Sequence, residues 1–224
     1  MRRNIVLVIA AHPDDEVLGV GGTLIKHIRN KDNVFCLILG EGVTSRKEYD
    51  EKRLESLHSE CKKAGKIIGF KKIFLSKLPD NKFDSVPLLN IIKEIEGYIK
   101  KIKPDIVYTH HGGDVNIDHR ITYKAVMTAC RPCNSDCPKE IYSFETLSST
   151  EWQLDNKKIF VPNIYINIEK EIDKKIKAMK EYKSEIRNYP HPRSEKGIST
   201  LASFRGLQAN LRYAEAFRLE RKIE

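Results

Sequence analysis

Long apolar segments and internal repeats are both missing from this sequence of 224 residues. No run of about 18 apolar residues is present, so we expect no membrane-spanning helix. No low-complexity stretch or linker divides the chain, and we predict a single domain over residues 1–224. The first apolar stretch is too short for a signal peptide and runs directly into acidic residues, so we expect a cytoplasmic protein.

Cysteine is also scarce, with five residues at uneven spacing. This odd number argues against the disulfide framework of a small secreted protein. Three cysteines cluster in "CRPCNSDC" (Cys130, Cys133 and Cys137), a pattern that is compatible with a zinc site. No nearby His or Cys supplies a fourth ligand, so free thiols in a loop are favoured over a structural metal site.

Basic residues outnumber acidic ones, and the formal net charge is +9. The lysines are spread along the chain and alternate with glutamates, which is typical of solvated helix faces. No base-reading motif of the usual kinds is present, so we expect no nucleic-acid partner. A basic surface also suits an anionic small substrate such as a sugar nucleotide.

Short β-rich segments alternate with helical segments along the chain. Strands are predicted at residues 4–10, 33–40, 72–76, 105–111, 140–145 and 163–168. Helices are predicted near 21–31, 47–66, 86–102, 119–129, 169–187 and 199–217. This order predicts an α/β fold, a doubly wound, mostly parallel, Rossmann-like sheet with helices on both faces.

Two segments rich in His and Asp follow the first and fourth predicted strands, "AHPDDE" and "THHGGDVNIDH". Open parallel sheets bind ligands at the carboxyl ends of their strands, so both segments reach one edge. His12 and Asp15 can point at one cation, and His119 completes the set. Two histidines and one carboxylate form a known catalytic zinc arrangement, which also suits Fe(II).

Asp14 is left beside this predicted metal site. A carboxylate there can take a proton from water, whose pKa a metal lowers to about 7. Glu16 then begins the next helix, where a negative charge is favourable. The alternative is a solvated helix-capping turn without a metal, and the second His/Asp-rich segment argues against it.

The glycines of "GVGGT" (residues 19–23) differ from a dinucleotide-binding fingerprint. That fingerprint places glycines in the turn directly after the first strand, where the backbone approaches pyrophosphate. Here acidic residues occupy this turn and would repel phosphate. We therefore exclude a nicotinamide cofactor and expect the glycines to allow close helix packing.

The segments "AHPDDEVLGVGGT" and "GGDVNIDHR" together resemble the PIG-L/LmbE-like family of metal-dependent N-deacetylases. The likeness extends to "LPDNKFD", "LSSTEW", "YKSE", "PHPRS" and "RGLQANLRYAEAF", which resemble a bacterial branch linked to sugar chemistry. By position, the resemblance implies zinc ligation by His12, Asp15 and His119. It implies Asp14 as the base that activates water.

The second segment departs from the family pattern. Family members of the thiol pathways carry His-Pro-Asp-His where this chain reads "NIDH", so Asn116 stands in place of a histidine. Asparagine can donate a hydrogen bond to an oxyanion but cannot act as an acid near neutral pH. Asp118 is predicted to orient whichever side chain takes the place of the missing histidine as acid or oxyanion donor. The candidates for the missing imidazole are His110, His111 and His191.

The predicted substrate-binding residues are basic or aromatic, because a guanidinium binds phosphate or carboxylate in a fork. This set comprises Arg46, His110, His111, Arg120 and Arg193. His191 lies between two prolines in a rigid extended segment, and we predict that it is catalytic.

These inferences predict a zinc-dependent hydrolase that removes acetyl from an N-acetylated sugar, either an N-acetylglucosamine conjugate or a sugar nucleotide. Zn²⁺ is the expected cofactor, with Fe²⁺ as the alternative. The expected partner is this small-molecule substrate, and a homo-oligomer is compatible with the sequence. Two alternatives stay open, namely a related amidohydrolase acting on another N-acyl amine such as an antibiotic, and a non-catalytic sugar-binding module.

Overall fold

The computed structural model describes residues 3–43, 51–133 and 136–224. The strands are β1 (Ile5–Ala10), β2 (Asn33–Gly40), β3 (Lys72–Leu78), β4 (Ile106–His110), β5 (Glu140–Phe144), β6 (Ile164–Asn167) and β7 (Ala214–Lys222). The α-helices are α1 (Asp15–Arg29), α2 (Glu51–Ile68), α3 (Leu88–Ile102), α4 (Ile117–Ala129), α5 (Ile172–Met179) and α6 (Glu195–Leu207). None of the helices in these ranges is long and apolar enough to cross a membrane.

The strands form one sheet in the order β3-β2-β1-β4-β5-β7-β6. The first five strands are parallel, and β7 runs antiparallel to both of its neighbours. The predicted α/β class, with a mostly parallel sheet, is confirmed. The strand order reverses between β1 and β4, and ligands of such sheets bind at this switch point.

Burial on both faces explains the continuous apolar sequence of β1. Val6, Val8 and Ala10 belong to a cluster on the side of α1, α2, α5 and α6. Leu7 and Ile9 belong to a second cluster on the side of α3 and α4. All five side chains are fully buried, so β1 holds the loop that follows it on a rigid support.

The glycines of α1 serve helix packing, as the sequence predicted. A Cβ atom at Gly19 would overlap the ring of Phe144 in β5, and one at Gly22 would lie 2.9 Å from Ile168. Such close approach brings the start of α1 down onto the sheet. The first residues of α1 belong to the loop that carries the candidate site.

Two helices predicted near the C-terminus are wrong in extent. The helix predicted at 169–187 is confined to α5, and the helix predicted at 199–217 ends at Leu207. The chain then forms β7, which the sequence reading missed because "AEAFRLERK" consists largely of good helix formers. Ala214 and Ala216 are buried in β7 between β5 and β6, so tertiary pairing overrides intrinsic propensity here.

Candidate active site

Two loops meet at the carboxyl edge of the sheet. The first loop (residues 11–16) follows β1, and the second loop (residues 110–119) ends β4 and begins α4. Ligand atoms of His12, Asp15 and His119 all lie within 4.8 Å of one another. The structure therefore brings together three side chains that the sequence predicted as metal ligands.

Each histidine of this group lies between two carboxylates. Oδ2 of Asp15 is 3.4 Å from Nδ1 of His12 and 3.3 Å from Nε2 of His119. On the outer side, Nε2 of His12 is 2.9 Å from Asp118, and Nδ1 of His119 is 3.3 Å from Asp114. Carboxylates behind imidazoles fix the ring orientation, as is common where histidines bind metals.

The electrostatics of this group favour positive charge. Burial lowers the pKa of both imidazoles, but the surrounding carboxylates outweigh burial and raise the pKa of His12 to about 10 and of His119 to about 9. Burial would raise the pKa of Asp15, yet His119 and His110 hold it well below its usual range. Oδ1 of Asp15 is buried without a hydrogen-bond partner. An unsatisfied carboxylate oxygen beside two imidazoles fits a divalent cation.

A second group of possible metal ligands shares His12. It consists of His12, Asp80 and Asp118, with Nε2 of His12 3.4 Å from Oδ1 of Asp80. Sequence reasoning did not assign a site role to Asp80 or Asp114. The position of Asp80 just after β3, at the same edge of the sheet, was a signal that could have found it.

Asp14 occupies the N-cap position of α1 with φ of 105°, and its side chain is almost completely buried. This backbone conformation is strained for a non-glycine residue, by about 1–3 kcal/mol, and such strain is often found at functional sites. Nη1 of Arg193 donates to Oδ2 of Asp14 at 2.9 Å. Burial raises the pKa of the Asp14 carboxyl well above its usual range, while Arg193 opposes this. A carboxyl with a raised pKa can accept and return a proton.

Asn116 caps α4. Its Oδ1 accepts hydrogen bonds from the backbone N–H groups of Asp118 at 2.8 Å and His119 at 3.4 Å. Its Nδ2 donates to Oδ1 of Asn81 at 3.2 Å. Asn116 therefore orients the second loop, and its donation to an oxyanion stays a prediction.

His110 and His111 are buried. Nε2 of His110 accepts from the backbone N–H of Ala11 at 2.9 Å, and Nδ1 faces Oγ1 of Thr146 at 3.3 Å. Its ring stacks on His119 with centroids 3.9 Å apart, and burial lowers its pKa to about 3. Nε2 of His111 bonds to a backbone carbonyl at 2.8 Å. The role of both rings in substrate binding stays a prediction.

Two of the predicted arginines, Arg120 and Arg193, have protein partners. Nη1 of Arg120 donates to two backbone carbonyls of the second loop at 2.7 and 2.6 Å. Arg193 donates to Asp14 and, at 3.2 Å, to Glu185. Arg120 thus stabilises the second loop and Arg193 contacts the first. Arg46 lies outside the described residues.

His191 lies in the segment that precedes α6 and is partly exposed. Its Nδ1 accepts the backbone N–H of Arg193 at 3.1 Å. Burial and the neighbouring arginines lower its pKa, so the ring is neutral near pH 7. This places His191 beside the arginine that contacts Asp14, and its catalytic role stays a prediction.

All five cysteines are unpaired, with Cys130 buried and Cys133 exposed. Within residues 3–43, 51–133 and 136–224, neither of the two candidate metal groups contains a cysteine. The geometry thus adds no support for a metal site in "CRPCNSDC".

A comparison with protein families covers both loops of the site. The family model described as "PIG-L: GlcNAc-PI de-N-acetylase" matches residues 7–130, which is more than half of the chain. The chain belongs to the PIG-L family. The resemblance that the two sequence segments predicted is therefore confirmed.

Two relatives are similar over most of this PIG-L family chain. The "Uncharacterized deacetylase YaiS" of Escherichia coli K12 is 28% identical over 189 residues, which cover 82% of this chain and 92% of the relative. The diacetylchitobiose deacetylase of Thermococcus kodakarensis is 27% identical over 231 residues, which cover 95% and 82%. Both names describe deacetylases.

Solved structures share the fold. The N,N'-diacetylchitobiose deacetylase from Pyrococcus horikoshii matches with a TM-score of 0.79 and 23% identity, over 96% of this chain and 82% of that one. The 4-carboxy-2-hydroxymuconate hydratase of Pseudomonas putida matches with a TM-score of 0.73 and 18% identity, over 98% and 97%. Because a hydratase has the same fold, the fold alone does not specify the reaction.

Proposed function

We propose that this protein is a metal-dependent N-deacetylase that removes the acetyl group from an N-acetylated amino sugar and releases acetate. The observation that carries the proposal is the buried carboxyl of Asp14 directly beside the group of His12, Asp15 and His119. The family description and the names of both relatives support deacetylation of an N-acetylated sugar. An N-acetylglucosamine conjugate or a sugar nucleotide is the substrate class that we favour.

We assign the metal to His12, Asp15 and His119 and not to the group that contains Asp80. The second group supplies a single imidazole, and both oxygens of its Asp118 already have protein partners in His12 and the backbone N–H of Phe83. In the first group, both imidazoles keep a carboxylate behind them. A divalent cation at such a site supplies Lewis acidity, which activates water and offsets negative charge on an amide oxygen. Two histidines and a carboxylate favour Zn²⁺, with Fe²⁺ as the alternative.

Asp14 acts as the general base in this proposal. Arg193 engages Oδ2, so Oδ1 is the atom that accepts a proton from the attacking water. After the water oxygen bonds to the acetyl carbon, the C–N bond breaks and the same carboxyl returns the proton to the amine nitrogen. The products are the free amino sugar and acetate. The lowered pKa of His191 leaves little imidazolium near pH 7, which favours Asp14 over His191 as the proton donor.

The proposal is tested by acetate release from purified protein. The substrates are N-acetylglucosamine, N,N'-diacetylchitobiose and UDP-N-acetylglucosamine, with an N-acylated glycopeptide antibiotic as the alternative amide. We expect release from at least one sugar, loss of release with a chelator, and recovery with Zn²⁺ or Fe²⁺. Release from the antibiotic alone favours the other amidohydrolase. Sugar binding without any acetate contradicts the proposal and favours a non-catalytic module.

A further inference from the structure

Asp14 is contacted by a part of the chain that lies outside the family match. Nη1 of Arg193 donates to Oδ2 of Asp14 at 2.9 Å and to Oε2 of Glu185 at 3.2 Å. Nε of Arg193 donates to Oγ of Ser148 at 2.7 Å. The guanidinium is held on both sides, and its side chain is only 22% exposed. The contacts with Ser148 and Glu185 therefore fix the orientation of the guanidinium independently of Asp14.

Two hydrogen bonds through Glu16 connect the backbone of Asp14 to Tyr182, which also lies outside the family match. The hydroxyl of Tyr182 donates to Oε1 of Glu16 at 2.5 Å. Oε2 of Glu16 accepts the backbone N–H of Asp14 at 3.1 Å. Tyr182 and Glu16 are both completely buried. Because Asp14 has a φ of 105°, its conformation depends on restraint from surrounding groups.

We propose that Tyr182, Glu185 and Arg193 form a clamp that positions Asp14 for catalysis. Arg193 holds one carboxylate oxygen, and Tyr182 holds the backbone through Glu16. The inference rests on the proposed role of Asp14 as the base. It differs from the sequence prediction that Arg193 binds an anionic substrate, since such a substrate would have to compete with two carboxylates for the guanidinium.

The first test uses Arg193→Gln, with Arg131→Gln as the matched control. Arg131 follows α4 at the opposite end from the site, is exposed, and pairs with Glu96 at 3.4 Å. We expect Arg193→Gln to lower kcat about 100-fold, because displacement of a catalytic group by about 1 Å has this effect. KM and metal content should stay near the wild-type values, and Arg131→Gln should match the wild type.

Chemical rescue separates positioning from a structural role. Arg193→Ala should regain part of its kcat when methylguanidinium is added, because the free guanidinium can occupy the same place. Arg193→Lys should retain intermediate kcat, since an ammonium keeps the charge but not the fork. A rise in KM with unchanged kcat in Arg193→Gln would overturn the proposal and assign Arg193 to substrate binding.

The second contact is tested by Tyr182→Phe, which removes one hydroxyl and retains the packing. We expect a smaller fall in kcat than in Arg193→Gln. The double variant should lose less than the product of the two single effects, because both contacts act on one residue. Strictly multiplicative effects would contradict a shared action on Asp14.

A crystal structure of Arg193→Gln tests the clamp without any measurement of activity. We expect the Asp14 carboxylate to rotate, while His12, Asp15 and His119 keep their positions. An unmoved Asp14 overturns the clamp. If the wild type releases no acetate from any substrate, the proposed function fails, and this structure still decides whether the clamp exists.

Discussion

The two loops at the carboxyl edge of the sheet are stabilised in different ways. The second loop combines local contacts with contacts from the middle of the chain. Asn116 caps α4 and Arg120 binds the loop's own carbonyls, while the hydroxyls of Ser149 and Thr150 bind Asp114. The first loop is held by distant residues, because Asp14 depends on Arg193 and on Tyr182 through Glu16. The loop with the strained backbone is therefore supported by the C-terminal third of the chain.

The pKa values of two neighbouring histidines at the site also differ. The rings of His110 and His119 stack on each other, yet burial lowers the pKa of His110 to about 3, while Asp15 and Asp114 outweigh burial and raise that of His119 to about 9. Nε2 of His110 accepts a backbone N–H and lies 3.4 Å from one carboxylate, that of Asp15, whereas His119 lies 3.3 Å from two, those of Asp15 and Asp114. The partners of each imidazole therefore determine whether its pKa is raised or lowered.

The largest expected effect comes from removing the proposed general base, Asp14, from the first loop. Asp14→Asn should lower acetate release about 10²–10⁴-fold, as expected for loss of a general base, and should still bind the metal. Acetate assays and metal analysis of the purified variant check this. Asp84→Asn, at an exposed position, is the control. Full activity of Asp14→Asn would show that the base is another group.

The carboxylates behind the histidines should affect metal binding in both loops. Asp118→Asn and Asp114→Asn should each weaken metal affinity about 10–100-fold, since such partners orient the imidazoles. Competition with a chromophoric chelator measures the affinity, and the exposed Asp155→Asn serves as the control. Unchanged metal affinity in both variants would contradict metal binding by His12 and His119.

The buried neutral His110 should make stability depend on pH. Its pKa is lowered to about 3 in the folded protein, so below about pH 6.5 the unfolded chain binds a proton that the folded chain does not. The contribution of His110 to the free energy of unfolding should therefore fall by about 2 kcal/mol between about pH 8 and pH 5.

His110→Gln isolates this effect, because glutamine can still accept the Ala11 N–H but does not titrate. Urea unfolding of the metal-loaded wild type and variant at both pH values gives the comparison. Equal pH dependence in the two proteins would mean that His110 is not the neutral group.

The smallest effect concerns the cap of the second loop. Asn116→Ala should lower the free energy of unfolding by about 1 kcal/mol, while Asn116→Ser should retain most of it because serine is also a good N-cap. Both variants should keep kcat near the wild-type value. If both lose about 10²–10³-fold in kcat, Asn116 is an oxyanion donor after all.

Much of the fold could be predicted because buried parallel strands have a continuous apolar sequence. The runs that became β1, β2 and β4 are of this kind, and each is bounded by a helix or a polar loop. Strand β7 could not be predicted, since its residues favour a helix and only pairing with β5 and β6 makes it extended. The N-cap role of Asn116 was available from its position directly before α4.

The sequence by itself determined which chemical groups lie at the edge of the sheet. His12, Asp14 and Asp15 directly follow a buried strand, and His119 follows another, so the fold class brings them together. Only the tertiary structure decided which partner each group has, including Arg193 on Asp14 and opposite directions of pKa shift for two stacked histidines. The physical reason is that hydrogen bonds, ion pairs and burial depend on distances through space, and residues far apart in the chain supply them.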